Sequence, residues 1–155
     1  MSDAADPVRK KLTQAEVDAI CVKHDRLWQA RPGGARAVFA WMDLSGLTLR
    51  GRNLADADFA AASLHNCDLT GAKLDNANFF GADMQDIVLV DASLRRADLR
   101  GACLRGADLS GADLFEADLR EGTIAAADSK LGFRVVEAQK RADTQAQGAS
   151  LVGAN

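Results

Sequence analysis

The sequence has few of the side chains that most enzymes and metal sites use. It contains no tyrosine, two histidines and three cysteines, and its aromatic residues are six phenylalanines and two tryptophans. The cysteines, Cys21, Cys67 and Cys103, are odd in number and include no C-x-x-C pair, which argues against a disulfide framework and a zinc site of the usual spacing. We therefore expect a non-catalytic protein with reduced thiols and without a metal or other cofactor.

The chain also lacks long hydrophobic runs and an excess of positive charge. Its 19 basic and 22 acidic residues give a net charge of -3, whereas nucleic-acid binders concentrate Lys and Arg against phosphates. No run approaches the roughly 18 apolar residues of a membrane span, and the N-terminus has no signal-peptide core. These absences predict a soluble cytoplasmic protein with no direct nucleic-acid binding and no membrane partner.

What the chain does contain is a strict repeat of five residues. From Leu44 to Ile124, a large apolar residue returns at every fifth position without a slip, giving 17 centres. Alanine stands two residues before 11 of these centres, and glycine stands two residues after seven of them. The residue directly before the centre is Asp, Asn, Ser or Thr in 14 units.

A period of five excludes a continuous helix and a continuous strand. An apolar stripe at this spacing would drift around a helix of period 3.6 and would alternate between the two faces of a strand. A coil that turns a corner every five residues keeps the stripe inside. Four such sides per coil, stacked about 4.8 Å apart, predict an all-β solenoid with Gly, Asp and Asn at its corners.

These units resemble a known protein family. Residues 57–61, 97–101, 107–111 and 112–116 read ADFAA, ADLRG, ADLSG and ADLFE, and they are similar to the A-[D/N]-L-x-x units of the pentapeptide-repeat family. The resemblance covers residues 42–126 and implies a right-handed quadrilateral β-helix in a bacterial protein. The family includes scaffolds of unknown role and anionic inhibitors of type II topoisomerases, so the resemblance does not choose a function.

A solenoid needs a cap because a stack of coils exposes its core at each end. Residues 13–41 are predicted to form the N-terminal cap and lead-in segment, after a disordered tail at residues 1–12. Thr13 and Glu16 have capping-box spacing before a helix. The helix is predicted to end at Pro32, Gly33 and Gly34 and to bury one apolar face, which comprises Val17, Ile20, Cys21, His24, Leu27 and Trp28.

Residues 37–41 are then expected to run as an extended segment into the first unit, where Phe39 and Trp41 would cover the edge of the coil. At the other end, the repeat over residues 42–129 is followed by residues 130–147, which break the rule and predict an irregular or short helical insertion. Residues 148–155 are interpreted as a restart of the repeat. Because this restart stops within a unit, we expect the natural protein to continue beyond Asn155.

One outward column of the predicted coil is acidic. It reads Asp58, Asn78, Asp98 and Asp118. A continuous anionic surface is what a DNA-mimicking regulator or protector of gyrase needs, which makes gyrase the second candidate partner. Arginines on the later coils interrupt this surface, and an Asp at this position can also bond the turn amides. We therefore interpret the column as mainly structural.

Outward apolar side chains favour a different function, in which the solenoid is a scaffold or adaptor that binds an unidentified protein. The candidate interaction surface combines these side chains with the arginine cluster and comprises Phe80, Val88, Val90, Arg95, Arg96, Arg100, Phe115 and Arg120. The columns place Arg100 against Phe80 and Arg95 against Phe115, which predicts stacking of arginine on the rings. Alternatively, the N-terminal segment or the chain after residue 127 folds over the apolar residues.

No catalytic or metal-binding group stands out. His65 and Cys67 are close in sequence, but Cys67 takes an inward position and His65 an outward one, so we expect them to point apart. His24 is expected to be a packed residue of the cap, and Cys103 an exposed thiol in place of an outward Asp. The many aspartates repeat at corners and do not converge in a cleft.

Overall fold

The fold is a stack of coils with a helix at its N-terminal end. A computed structural model describes residues 8–121, 124–128 and 132–136. Its regular elements are strand β1 (Lys10–Lys11), helix α1 (Gln14–Trp28) and strands β2 (Met42–Asp43), β3 (Ile124–Asp128) and β4 (Gly132–Val136). In this part of the chain, no helix combines the length and the apolar character needed to span a bilayer.

Parallel backbone pairing joins residues that are twenty positions apart. The bridges begin at Val38 with Asp58 and continue to Asp98 with Asp118. Between them, the Phe59 amide donates to the carbonyl of Asn78 at 2.7 Å, which shows how one coil bonds to the next. Four five-residue units therefore make one coil, as the sequence predicts. Most pairing occurs as isolated bridges because each side is only a few residues long, so regular strand is scarcer than an all-β class suggests.

Each unit from Phe39 to Leu114 ends in a type II turn. The Ala62 amide donates to the carbonyl of Phe59 at 3.0 Å, and the residue before Ala62 has a positive φ, as this turn requires. The same backbone conformation recurs at every fifth residue from Trp41 to Glu116, with φ between 54° and 76°. Seven of these corners are glycine and five are Asp or Asn, which confirms the predicted corner residues.

The centres and the preceding small residues fill the interior of the coil. All centres from Leu44 to Leu114 are buried, and Phe59 stacks between Phe39 and Phe79 with centroid distances of 5.0 and 4.8 Å. The expected role of Phe39 as a cover for the coil edge is wrong. Phe39 and Ala37 are fully buried in inward positions because residues 37–41 already follow the five-residue rule.

The first described residues extend the solenoid. β1 pairs in parallel with β2, and the amide of Leu12 donates to the carbonyl of Asp43 at 2.9 Å. Residues 8–12 are therefore ordered, in contrast to the predicted disordered tail, because Leu12 buries its side chain in the core. Residues 1–7 lie outside the described residues.

Helix α1 begins as the sequence predicts and ends earlier. Thr13 and Glu16 form a reciprocal capping box. The helix ends at a Schellman motif in which the Ala30 amide donates to Leu27 and the Arg31 amide to Arg26, with Ala30 at φ 52°. This motif precedes the predicted stop at Pro32.

The C-terminal part departs from the prediction. β3 and β4 pair antiparallel, with Ile124 opposite Val136, so residues 124–128 do not continue the coils and residues 132–136 are not helical. The β-branched Ile124, Val135 and Val136 favour strand over helix. The rest of the predicted insertion, at residues 137–147, and the restart at residues 148–155 lie outside the described residues.

Candidate interaction surfaces

The acidic column lies on one side of the coil, which we call side A. Side A comprises residues 37–41, 57–61, 77–81, 97–101 and 117–121. In each aspartate of the column, Oδ1 accepts the backbone amide two residues later, at 3.0 Å from Asp58 to Ala60 and 3.1 Å from Asp98 to Arg100. The carboxylates thus stabilise the backbone turns of side A, which is the structural role expected for them.

Arginines neutralise the later members of this column. Arg100 binds Asp98 through Nε and Nη2 at 2.9 and 2.7 Å, and Arg120 binds Asp118 in the same way. The side-chain hydrogen bond from Arg120 lowers the pKa of Asp118 to about 2. The charges of these carboxylates are therefore balanced locally, and side A does not present an unbroken anionic surface.

Two of the arginines also cover phenylalanine rings. The guanidinium of Arg95 lies 4.6 Å from the centroid of Phe115, and that of Arg100 lies 5.4 Å from the centroid of Phe80. Both rings remain partly accessible. This geometry confirms the stacking that the columns predict. Arg95 in turn binds Asp113 at 2.8 Å, so the arginine is held from both directions.

The predicted interaction residues do not form one patch. Phe80, Arg100 and Arg120 lie on side A, and Arg95 and Phe115 lie on the preceding side. The corner between these sides carries Arg96, whose Nε donates to Glu116 at 2.6 Å. Val88 and Val90 lie one side further round, opposite side A, and both are half-buried.

The thiols are not arranged for reactivity. Cys103 is 4% exposed, so the expectation of an exposed thiol is wrong. Cys103 pairs with Asp83 in the coil below, and Asp83 itself is half-buried at the same outward position. The thiol is shorter than a carboxylate and uncharged, so it stays closer to the backbone and is buried. Burial raises the pKa of Cys21 and of Cys67 to about 11 in each case, which disfavours the nucleophilic thiolate.

The His65 and Cys67 side chains point apart, as expected. Cys67 is fully buried and its Sγ donates to the carbonyl of Leu44 at 3.0 Å, whereas His65 is half-exposed. Across the described residues, no group of three or more His, Cys, Asp or Glu side chains could hold a metal ion.

The N-terminal cap carries an exposed apolar surface that the sequence pattern did not predict. The sequence predicts that Leu27 and Trp28 are packed, but Trp28 is 51% exposed, because both side chains line an open cleft beside Arg36 and Asp56. Trp41 was expected to cover the core and is 41% exposed, because it occupies a corner. The five-residue rule, extended back from Leu44, assigns residue 41 to a corner and could have revealed this exposure.

A cleft separates the end of α1 from the first coils. It has a volume of about 330 Å³ and is lined by His24, Leu27, Trp28, Arg36 and Asp56. Arg36 contacts Asp58 at 3.5 Å. The lining thus combines an indole, an aliphatic side chain, a cation and a carboxylate at the N-terminal end of side A.

His24 closes the bottom of this cleft and is fully buried. The Ala37 amide lies 3.0 Å from Nδ1, and the Trp28 indole N–H lies 3.1 Å from Nε2. The neutral imidazole has one unprotonated nitrogen and can accept a hydrogen bond from one of these donors. The protonated imidazolium has an N–H at both positions and can accept from neither. Burial lowers the pKa of His24, and a hydrogen bond with the Ala55 backbone opposes this shift only in part.

We expect the cap to lose stability as the pH falls below about 6.5, the ordinary value for histidine. Because the folded state depresses the pKa of His24, the unfolded chain binds the proton more readily, so the stabilisation is complete above that pH and declines below it. Urea unfolding at pH 7.5 and 5.5 measures the effect. The loss of stability between the two pH values should be smaller in His24→Gln than in the wild-type protein, and an equal loss in both would contradict this role.

Comparisons with known proteins agree with this architecture. Eight copies of the family described as pentapeptide repeats match residues 35–71, 43–81, 72–111 and 92–124. No match was found among curated protein sequences. The family match indicates no catalytic family.

Solved structures of pentapeptide repeat proteins are similar to this chain. One is Rfr23 from the cyanobacterium Cyanothece 51142, with 34% identity and a TM-score of 0.51 over 54% of this chain and 55% of that one. Another is alr5209 from Nostoc Pcc 7120, with 27% identity and a TM-score of 0.57 over 72% of this chain and 83% of that one. The chain thus spans about half the length of the Cyanothece protein. Because the family match covers more than half of the residues, the chain belongs to the pentapeptide-repeat family.

Proposed function

We propose that this chain is a non-catalytic scaffold or adaptor of the bacterial cytoplasm that binds a protein partner through the sides of its solenoid. We also infer that its coils wind as a right-handed quadrilateral β-helix, as the family resemblance implies. The partner surface comprises side A and the part of the preceding side that carries Arg95 and Phe115, so it contains both arginine-covered rings.

The pairing of arginine with phenylalanine carries this proposal. A solvated wall of this kind needs only small or polar outward residues, and Ala60 fills the position of Phe80 in the preceding coil. Phe80 and Phe115 instead present large rings that remain partly accessible beneath Arg100 and Arg95. Phenylalanine and the other aromatic residues, together with arginine, are enriched in protein–protein interfaces relative to the rest of the protein surface.

Affinity capture from the native organism, followed by mass spectrometry, tests this assignment. Wild-type protein should retain a partner that the double variant Phe80→Ser and Phe115→Ser retains at least about tenfold less. Ala60→Ser, at the same outward position, is the matched control and should capture the partner normally. Equal capture by both variants, with circular dichroism showing that both are folded, would exclude side A as the binding surface.

A regulator of a type II topoisomerase is the second candidate. The solenoid, at residues 42–121, carries 14 acidic and 8 basic residues and is therefore anionic. The pairing of Asp98 and Asp118 with arginine weakens the likeness to a row of phosphates. A gyrase supercoiling assay separates the candidates, because a scaffold should leave supercoiling unchanged up to high micromolar protein. Inhibition or protection of gyrase that is lost in Asp58→Asn would favour the regulator.

A further inference from the structure

The large exposed apolar side chains of the described residues are concentrated in the N-terminal cap. Among residues 8–121, they are Val8, Val22, Leu27, Trp28, Val38 and Trp41, all of which precede the repeat units from residue 42 onward. We define the cap surface as Leu27, Trp28, Arg36, Val38 and Trp41. Arg36 directly precedes side A and lines the cleft at the end of α1, and Val38 and Trp41 follow it along side A in the first coil.

Trp41 is costly to the fold in its present position. It has φ 60° at a type II corner, a conformation in which a bulky residue is strained and for which glycine, Asn and Asp are suited. The residue is also 41% exposed, so a large part of its apolar surface stays in water. A strained corner that carries an exposed indole points to a role in contacts outside the folded chain.

The cleft has the size and lining of a side-chain pocket. Its volume of about 330 Å³ accommodates one or two bulky apolar side chains between Trp28, Leu27 and the first coils. Its buried polar group, His24, already contacts the Ala37 amide and the Trp28 indole. The pocket therefore offers mainly apolar contact and does not demand a polar ligand at its base.

The charges around the cap surface select the partner. Residues 22–41 contain Lys23, Arg26, Arg31 and Arg36 against one carboxylate, Asp25. Asp56 in the cleft and Asp58, which lies 3.5 Å from Arg36, reduce this positive excess without cancelling it. At the far end of the surface, Arg9 donates to the carbonyl of Ala61, the corner below Trp41. Among the described residues, no carboxylate lies within 4.0 Å of the Arg9 guanidinium. Arginines thus lie at both ends of the cap surface, Arg36 beside the cleft and Arg9 beside Trp41.

These charges discriminate against one other occupant, because the cap of a second copy carries the same positive excess and would repel this one. Asp56 lies in the lining of the cleft and would repel any anion that entered it, whether a lipid headgroup or a carboxylate. An acidic protein segment meets both conditions, because an apolar side chain can enter the cleft while its carboxylates stay outside and reach the flanking arginines.

We propose that the cap surface is a docking site for a short acidic segment of a partner protein. A bulky apolar side chain of the segment enters the cleft against Trp28 and Leu27, and a second one packs on Val38 and Trp41. Carboxylates on either side of them pair with Arg36 and Arg9. This site is separate from the rings of Phe80 and Phe115, so it does not depend on the function proposed for them.

A fluorescein-labelled synthetic peptide in which Asp and Glu alternate with Phe and Leu is the probe. Anisotropy should show saturable binding, and the intrinsic fluorescence should change because Trp28 and Trp41 are the two tryptophans of the chain. Trp41→Gly should weaken binding about tenfold while circular dichroism shows that the protein stays folded, since glycine suits the corner. Arg36→Gln should weaken binding and reduce its salt dependence.

Control variants and control peptides establish whether binding is specific to the cap surface. Lys73→Gln, which removes an exposed cation outside the cap surface, should bind the peptide normally. A peptide with Lys in place of its acids and one with Ser in place of Phe and Leu should both bind much more weakly. Equal binding by the basic peptide, or wild-type affinity in Trp41→Gly, would overturn the proposal. So would tighter binding to vesicles of phosphatidylcholine and phosphatidylserine in equal parts, or a dimer that Trp41→Gly dissociates.

Discussion

Replacing Phe59 with alanine is expected to lower the free energy of unfolding by about 3 to 5 kcal/mol. Phe59 is fully buried and lies between the rings of Phe39 and Phe79, nearly parallel to the latter at 4°. Its removal leaves a ring-sized cavity and takes a stacking partner from both neighbours. The coil cannot contract around the cavity because its perimeter is fixed by backbone hydrogen bonds to the coils on either side.

Urea unfolding followed by far-ultraviolet circular dichroism measures this loss. Phe59→Leu is the matched control and should cost about 1 kcal/mol, because it keeps most of the buried volume. Leucine already fills the same column at Leu99. Phe80→Ala, which truncates a half-exposed ring, should also cost much less than Phe59→Ala. If Phe59→Ala were as stable as Phe59→Leu, the stacked rings would not be an energetic centre of the fold.

The interior and the corners of the solenoid could be predicted from the sequence because both follow from a single period. An inward position admits only an apolar side chain, so the register of Leu44 fixes the burial of every centre through Leu114. The turn conformation at each fifth residue likewise restricts the corner to residues that accept a positive φ. The same columns predicted which arginine covers which ring, since stacked residues are twenty apart.

The cap was harder to predict because no period constrains it. The apolar face of α1 continues through Leu27 and Trp28, but a cleft separates these side chains from the first coils, so they remain about half exposed. Amphipathic patterning shows which face of a helix is apolar and not how far the surface beneath it reaches. The hairpin of β3 and β4 was missed for a related reason, since strand pairing depends on a partner segment that a local pattern does not identify.

The two glycines after α1 have a role that the helix pattern does not predict. Gly33 and Gly34 were interpreted as a helix stop, but α1 has already ended at its Schellman motif when the chain reaches them. Gly34 is needed for a different reason, because the chain doubles back here along the helix. The Ala35 amide donates to the carbonyl of Lys23 at 3.0 Å, which holds the returning segment against the backbone of α1.

Gly34→Ala is therefore expected to destabilise the protein by about 3 kcal/mol. An added Cβ would lie 2.4 Å from the backbone nitrogen of Leu27 and 2.6 Å from its Cα, and neither atom can move without distorting the helix. The segment must instead lift away, which breaks the bond to Lys23 and displaces Ala37 from His24. Thermal unfolding of the variant measures the loss, and the emission of Trp28 should shift as the end of the helix changes its surroundings.

Gly71→Ala separates this steric effect from the general cost of replacing a glycine. Gly71 has φ 67° with no atom within 4 Å of an added Cβ, and alanine already occupies such a corner at Ala61. Its replacement should cost about 1 kcal/mol, the price of a left-handed conformation alone. Gly34 has no positive φ, so a larger loss there can come only from contact with the helix. Equal losses in the two variants would mean that the returning segment is free to shift and that the cleft beside it is not rigidly shaped.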